Sequence, residues 1–197
     1  MATLRIVFVG VGGQGNLLAS RLLGEAALQA GVPVQVSEIH GMAQRGGVVE
    51  SAVVLGDALS PIISPAQADV IVGFEPAETL RALDKANRKT LVITSTSKLP
   101  PFTVAIGQGQ YPEMDQVLGL LEKKVRKVIA FDALEKAVEA GNVLAVNMVL
   151  LGALAGAAKL PVSRNRIEQA IRSETKKAFL ETNLKAFDLG FEAARAA

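Results

Sequence analysis

Hydrophobic positions along this chain follow two rhythms. Short unbroken runs rich in Val and Ile read as strands buried on both faces of a sheet, and longer stretches with apolar residues three and four apart read as helices. The first run, 4–9, enters a glycine-rich turn at Gly10 to Gly15. A long helical pattern follows, with Leu18, Leu22, Ala26 and Ala30 on one face and Leu17 and Leu23 beside it. Gly31 and Pro33 end that helix, and 34–37 reads as a second strand, so the opening residues predict a right-handed βαβ unit. Further strands are expected over 48–55, 69–74, 90–94, 103–106 and 127–131, with an ordered loop over 38–47. Helices are expected over 76–86, 114–125 and 133–140, and the remainder is helical, over 143–158, 164–172 and 176–194. Alternating strands and helices with an all-helical end predict an α/β fold of three layers: a mostly parallel sheet covered on both faces, and a helical C-terminal part. With no repeat and no linker composition, 1–197 is expected to be one domain.

Composition narrows the chemistry. Half of the residues are hydrophobic but only 4% are aromatic, so the core must be aliphatic. The chain has no cysteine, which excludes disulfides, a nucleophilic thiol and any iron–sulfur cluster held by its own thiolates. His40 is the only histidine, so a histidine-rich metal site is excluded as well. A formal net charge of +2 with interspersed signs does not fit a nucleic-acid binder. The one basic block, Lys123 to Lys127, suits the C-terminal end of a helix dipole. No apolar run approaches the roughly 20 residues of a membrane span, and the N-terminus has neither secretion-signal nor transit-peptide character. A cytoplasmic chain without membrane contact is expected.

Gly10-x-Gly12-x-x-Gly15, set between a strand and a helix, has the spacing of a dinucleotide fingerprint, and Glu38 falls near the end of the second strand where an acid would complete it. Spacing alone leaves three uses open: a bound dinucleotide, a phosphate of another ligand at the helix N-terminus, or close helix–strand packing. The wording is more specific. Gly-Val-Gly-Gly-Gln-Gly at 10–15, together with Ser-Glu-Ile-His-Gly-Met-Ala-Gln-Arg-Gly-Gly at 37–47, closely resembles the gamma-type subunit of 2-oxoacid:ferredoxin oxidoreductases, nearest the indolepyruvate branch. The resemblance extends through 69–76, the helix with Asn147 and Leu151-Gly152, and the helix with Phe179, Asn183, Phe187 and Gly190, so it spans nearly the whole chain.

That resemblance implies a Rossmann-like, pyruvate/ketoisovalerate oxidoreductase gamma-type domain acting as the smaller subunit of an enzyme that oxidatively decarboxylates an arylpyruvate such as indolepyruvate to an acyl-CoA, with ferredoxin as electron acceptor. Thiamine diphosphate and 4Fe-4S clusters would sit on the larger alpha subunit, and no cofactor would be held firmly by this chain. The residues agree: there is no cysteine, and Gly56-Asp57 is followed by Ala58 rather than by the Gly of a thiamine diphosphate motif. An NAD(P)- or FAD-dependent Rossmann oxidoreductase and a nucleotide-sensing binding module are the competing readings. Candidate ligand-contacting residues are Gly12, Gly13, Gln14 and Gly15 in the turn and Glu38, His40, Arg45, Gly46 and Gly47 in the loop. Arg45 offers a guanidinium to an anion such as a carboxylate or phosphate, or an ion pair with Glu38 or Glu50 that fixes the loop. His40 is a proton relay or a hydrogen-bonded structural residue; Gln14 meets a ligand or braces the turn. Asn147, in an apolar helix, needs a partner from the glycine turn, another subunit or a nearby carbonyl. Asn183 and Phe187, four apart, share a face read as packing surface or subunit contact.

Overall fold

The computed structural model describes residues 2–40, 47–100, 104 and 106–197. Six strands form one sheet: β1 (Leu4–Val11), β2 (Val34–His40), β3 (Val48–Leu55), β4 (Ala68–Gly73), β5 (Ala86–Ser95) and β6 (Lys127–Phe131). Their order across the sheet is β2-β3-β1-β4-β5-β6. Pairing is parallel from β1 through β4 and β5 to β6, whereas β3 runs antiparallel to both β1 and β2. The two strands of the opening βαβ unit therefore point the same way but are not neighbours, because β3 lies between them.

Seven helices complete the described chain: α1 (Asn16–Gln29), α2 (Pro76–Arg81), α3 (Met114–Lys124), α4 (Ala133–Ala140), α5 (Val146–Ala157), α6 (Arg164–Glu174) and α7 (Lys177–Ala196). The helix expected over 76–86 is shorter than its pattern: α2 ends at Arg81 and a 3-10 turn covers Ala82–Lys85 before β5 begins. The helix expected from 143 also opens as a 3-10 turn, Val143–Ala145. The strand expected over 103–106 lies outside the described residues apart from Val104 and Ile106; there Gly107 N–H reaches back 3.0 Å to the Val104 carbonyl, as in a turn.

Successive strand residues feed opposite faces, as the pleat requires. Ile6, Phe8, Val53, Leu55, Val72 and Ile93 join the core on the side of α1 and the C-terminal helices. Val7, Val9, Val54, Ile71 and Val92 join a smaller core with Val117 and Leu121 of α3. On α1 the buried face is Ala19, Leu22, Leu23, Ala26 and Ala27, while Leu18 stays exposed. The inward stripe is thus rotated from the leucine spacing, because alanines let this helix sit close to the sheet. α5 and α7 pack closest of all: Gly152, Gly156 and Gly190 bring the two backbones into direct contact.

Candidate functional site

Parallel strands ending at one edge of an open sheet leave a crevice at their carboxyl ends, and ligands of such folds bind there. In this chain the crevice is a cleft of about 190 Å³ at the ends of β1, β4, β5 and β6. Gly13 and Gln14 form one wall, and Ser95, Ser97, Lys98 and Leu99 another. Phe74, Leu134, Val143, Leu144 and Val146 supply apolar surface. The rim is unusually apolar for a surface: Leu99, Leu134, Val143 and Leu144 are all exposed, Leu144 at 74%.

The glycine turn is tied down from within. Gly12 N–H donates to the Gly47 carbonyl at 2.8 Å and Gln14 N–H to the Val11 carbonyl at 3.1 Å. Gln14 braces the turn with both ends of its amide, accepting from Val11 N–H at 2.8 Å and donating to the Phe74 carbonyl at 3.1 Å. Gly15 caps α1 in the left-handed region, φ 80°, and a Cβ there would stand 2.6 Å from Asn147 Nδ2. Asn147 is the turn's neighbour, then, and its Oδ1 also accepts from Met148 N–H at 2.9 Å. Asn16 adds a buried bond from its Nδ2 to the Val49 carbonyl at 2.9 Å, fixing the start of β3 against the turn.

Among the candidates drawn from the sequence, Gly13 and Gln14 line the cleft, and Gly12 meets Gly47 at its edge. Glu38 lies apart, exposed on the edge strand in a groove with Arg21, Glu25 and Leu28 of α1. His40 closes β2, its backbone opposite Val49. Arg45 and Gly46 lie outside the described residues. Glu50, one of two carboxylates considered for pairing with Arg45, is bonded to Lys85 at 2.8 Å. Among the described residues the nicotinamide pattern is not assembled: the N–H groups of Val11, Gly12 and Gln14 are engaged, and β3 places the end of β2 two strand spacings, roughly 10 Å, from β1.

The structure adds residues that the motifs did not single out. Ser95 donates to Ser97 Oγ at 3.0 Å, and Ser97 donates to Asp132 Oδ1 at 2.6 Å. The Ser97 hydroxyl, before the partly opposing burial, holds the Asp132 carboxyl below its ordinary range. Asp132 also caps α4, accepting from Glu135 N–H at 2.9 Å. Lys98 carries its ammonium 5.4 Å from the centre of the Tyr111 ring. Beneath them Glu75, 1% exposed, accepts from Glu78 N–H at 3.0 Å, from Leu99 N–H at 3.2 Å and from the Tyr111 hydroxyl. A polar run, Thr94 to Lys98, directly after a buried apolar strand was the available signal for the Ser–Lys wall; Glu-Pro opening a helix was the signal for the cap.

Glu78 is the strained acid of this group. Burial, before the weaker repulsion from Glu75, pushes its carboxyl above the ordinary glutamate value, although Arg81 Nε lies 3.3 Å away, and its Oε2 has no hydrogen-bond partner among the described residues. A native state that holds the proton more tightly than the unfolded chain loses stability as pH rises, from the ordinary value of 4.5 through the raised native one. Glu78→Gln should therefore flatten that decline, with a smaller loss of melting temperature between mildly acidic and neutral buffer than in the parent. Identical pH profiles for the two proteins would refute this.

Comparison with known proteins follows the same lines. The family model for pyruvate ferredoxin/flavodoxin oxidoreductase matches residues 5–193. Indolepyruvate oxidoreductase subunit IorB of Archaeoglobus fulgidus is 45% identical over 191 residues, covering 97% of this chain and 95% of that protein. Its counterpart in Pyrococcus horikoshii is 42% identical, covering 99% and 98%. Among solved structures, the gamma subunit of a keto/oxoacid ferredoxin oxidoreductase from Geobacter sulfurreducens superposes with a TM-score of 0.74 at 26% identity, over 98% of this chain and 99% of that one.

Proposed function

From the pyruvate ferredoxin/flavodoxin oxidoreductase family, to which this chain belongs, we propose that it is the smaller subunit of a 2-oxoacid ferredoxin oxidoreductase of the indolepyruvate type. The assembled enzyme would decarboxylate an arylpyruvate, transfer the acyl group to CoA and pass the electrons to ferredoxin. Thiamine diphosphate and the iron–sulfur clusters would be carried by the larger subunit, since this chain has no cysteine to hold a cluster. No helix among the described residues is long and apolar enough to cross a membrane.

The observation that carries this reading is the exposed apolar rim around the cleft. Leu99, Leu134, Val143 and Leu144 surround a crevice whose polar groups are largely bonded to one another. No Asp, Glu or His stands among the described lining residues. Such a surface suits the covered core of a subunit contact better than a self-sufficient active site. Arg45, in the connection between β2 and β3, would offer a guanidinium to an anionic group of CoA or the 2-oxoacid.

Reconstitution tests the proposal. The isolated chain should be colourless and silent with indolepyruvate, CoA and an electron acceptor, and activity should appear on co-expression with the larger subunit. Charging the rim with V143K/L144K should abolish co-purification while leaving the chain's own melting temperature within a few degrees of the parent. Turnover by the isolated chain would overturn the subunit reading, and undiminished assembly of the double variant would remove the rim from the contact.

A further inference from the structure

At the opposite end of the sheet from the cleft, the fold gathers cations that lie far apart in sequence. β4 and β5 pair at Ala68–Ala86 and next at Val70–Leu91, so β5 carries extra residues and 87–90 loops out of the ladder. The loop is built, not frayed. Thr90 is fully buried, donates to the Ala68 carbonyl at 2.6 Å and accepts from Asn87 N–H at 2.8 Å. Asn87 donates to the Ala66 carbonyl at 2.8 Å and accepts from Lys89 N–H at 2.8 Å. These bonds hold Arg88 and Lys89 outward at the tip, both exposed.

The α3–β6 connection lies against this loop: Arg126 N–H donates to the Thr90 carbonyl at 3.0 Å, and Lys127 pairs opposite Leu91. Lys123, Lys124, Arg126 and Lys127 are exposed there as well. Six cations thus share one end of β5 and β6 in a chain whose formal net charge is only +2. Glu122 is the one carboxylate within 86–91 and 122–127, and none of the six cations forms an ion pair among the described residues. Guarding the exposed edge of β6 against pairing would account for Lys127. It would not account for a hydrogen-bonded loop on β5 that presents two more.

We propose that the Arg88–Lys89 loop and the Lys123–Lys127 segment form a docking platform for an acidic face of a partner protein. The chemistry favours a protein over other polyanions. Neither segment contains an aromatic residue on which a base would stack, and Val125, the apolar residue amid the cations, is buried and cannot enter a bilayer. Complementary charge of this kind sets encounter rate and orientation, and its effect weakens with salt.

The test uses the intact chain and a short peptide of alternating Glu and Ser as the probe. Binding at low salt should weaken by about tenfold or more at physiological ionic strength. R88E/K89E and K123E/K124E should each lose about tenfold or more, while K176E/K177E, the same charge change at the start of α7, should stay within about twofold. Equal losses in all three variants would show net charge alone and overturn the platform. Tighter, patch-dependent binding to anionic vesicles or to a DNA duplex than to the peptide would overturn the assignment to a protein partner. Melting temperatures within a few degrees of the parent ensure that lost binding is not lost folding.

Discussion

Gly190→Val is expected to destabilise the chain by about 3 kcal/mol or more, the overpacking cost when no flexible group is available to yield. A Cβ at Gly190 would fall on the Val149 carbonyl, and one at Gly152 would fall on the Phe187 carbonyl, each well inside van der Waals contact. The obstruction is backbone in both cases, so rotamer changes cannot relieve it; α5 and α7 must part along their length. Parting them opens the core around Phe187, Met148, Val149 and Leu150, all fully buried. Even Gly190→Ala should destabilise, although alanine favours a helix interior by about 1 kcal/mol over glycine. Gly119→Ala on α3 is the matched control: nothing among the described residues lies within 4 Å of the added Cβ, so the same propensity gain should appear as stabilisation of about 0.5–1 kcal/mol. Denaturant midpoints with unchanged slopes measure all three. A neutral Gly190→Val would mean that α5 and α7 are not held as closely as their backbones indicate.

Local patterns in the chain identified most elements, because the strands 48–55 and 127–131 and the helix 133–140 are bounded by turn residues as well as by periodicity. Sheet order was not legible. Whether β3 returns beside β1 or beyond β2 depends on pairing between distant segments, and a run such as 48–55, apolar on both faces, fits either place. The same limit applied to the site. Gln14 and the glycines announce a turn by their chemistry, but the cleft's second wall, Ser95 to Leu99, becomes functional surface only because β5 ends beside β4 and β6. Glu38 shows the converse. Its position matched a motif, yet the inserted β3 carries β2 to the sheet edge, and the carboxylate faces α1 instead of the turn. Asn147 was legible as a residue requiring partners, with the glycine turn among three possible ones; that it stands against Gly15, over a hundred residues away, is decided by the fold.

Glu75→Ala is expected to cost about 3 kcal/mol, and the argument rests on the donors left behind. Hydrogen bonds to a charged acceptor are each worth about 1.5–3 kcal/mol, and loss of an N-cap about 0.5–2. The sum is an upper bound, because Leu99 N–H and the Tyr111 hydroxyl are only partly buried and water can replace their acceptor. Glu75→Gln isolates the charge from the shape, and should cost less because an acceptor oxygen remains. Tyr111 then reports directly on this carboxylate. It is the only tyrosine in a chain without tryptophan, so phenolate absorbance follows one group. In the parent, burial first, then the hydrogen bond to Glu75 and its negative charge, push the phenol well above the ordinary value of 10.0. The native state therefore binds that proton more tightly than the unfolded chain, and stability falls as pH rises from 10.0 upward. With glutamine at position 75 the charge is gone while burial persists, so the phenol should titrate lower than in the parent yet still above a free tyrosine. An unchanged titration in Glu75→Gln would show that burial alone sets it and that the Glu75–Tyr111 bond contributes nothing. The expected lowering would show that the Glu75 carboxylate, which also accepts from Leu99 N–H beside the cleft, adds its charge and hydrogen bond to what burial does at Tyr111.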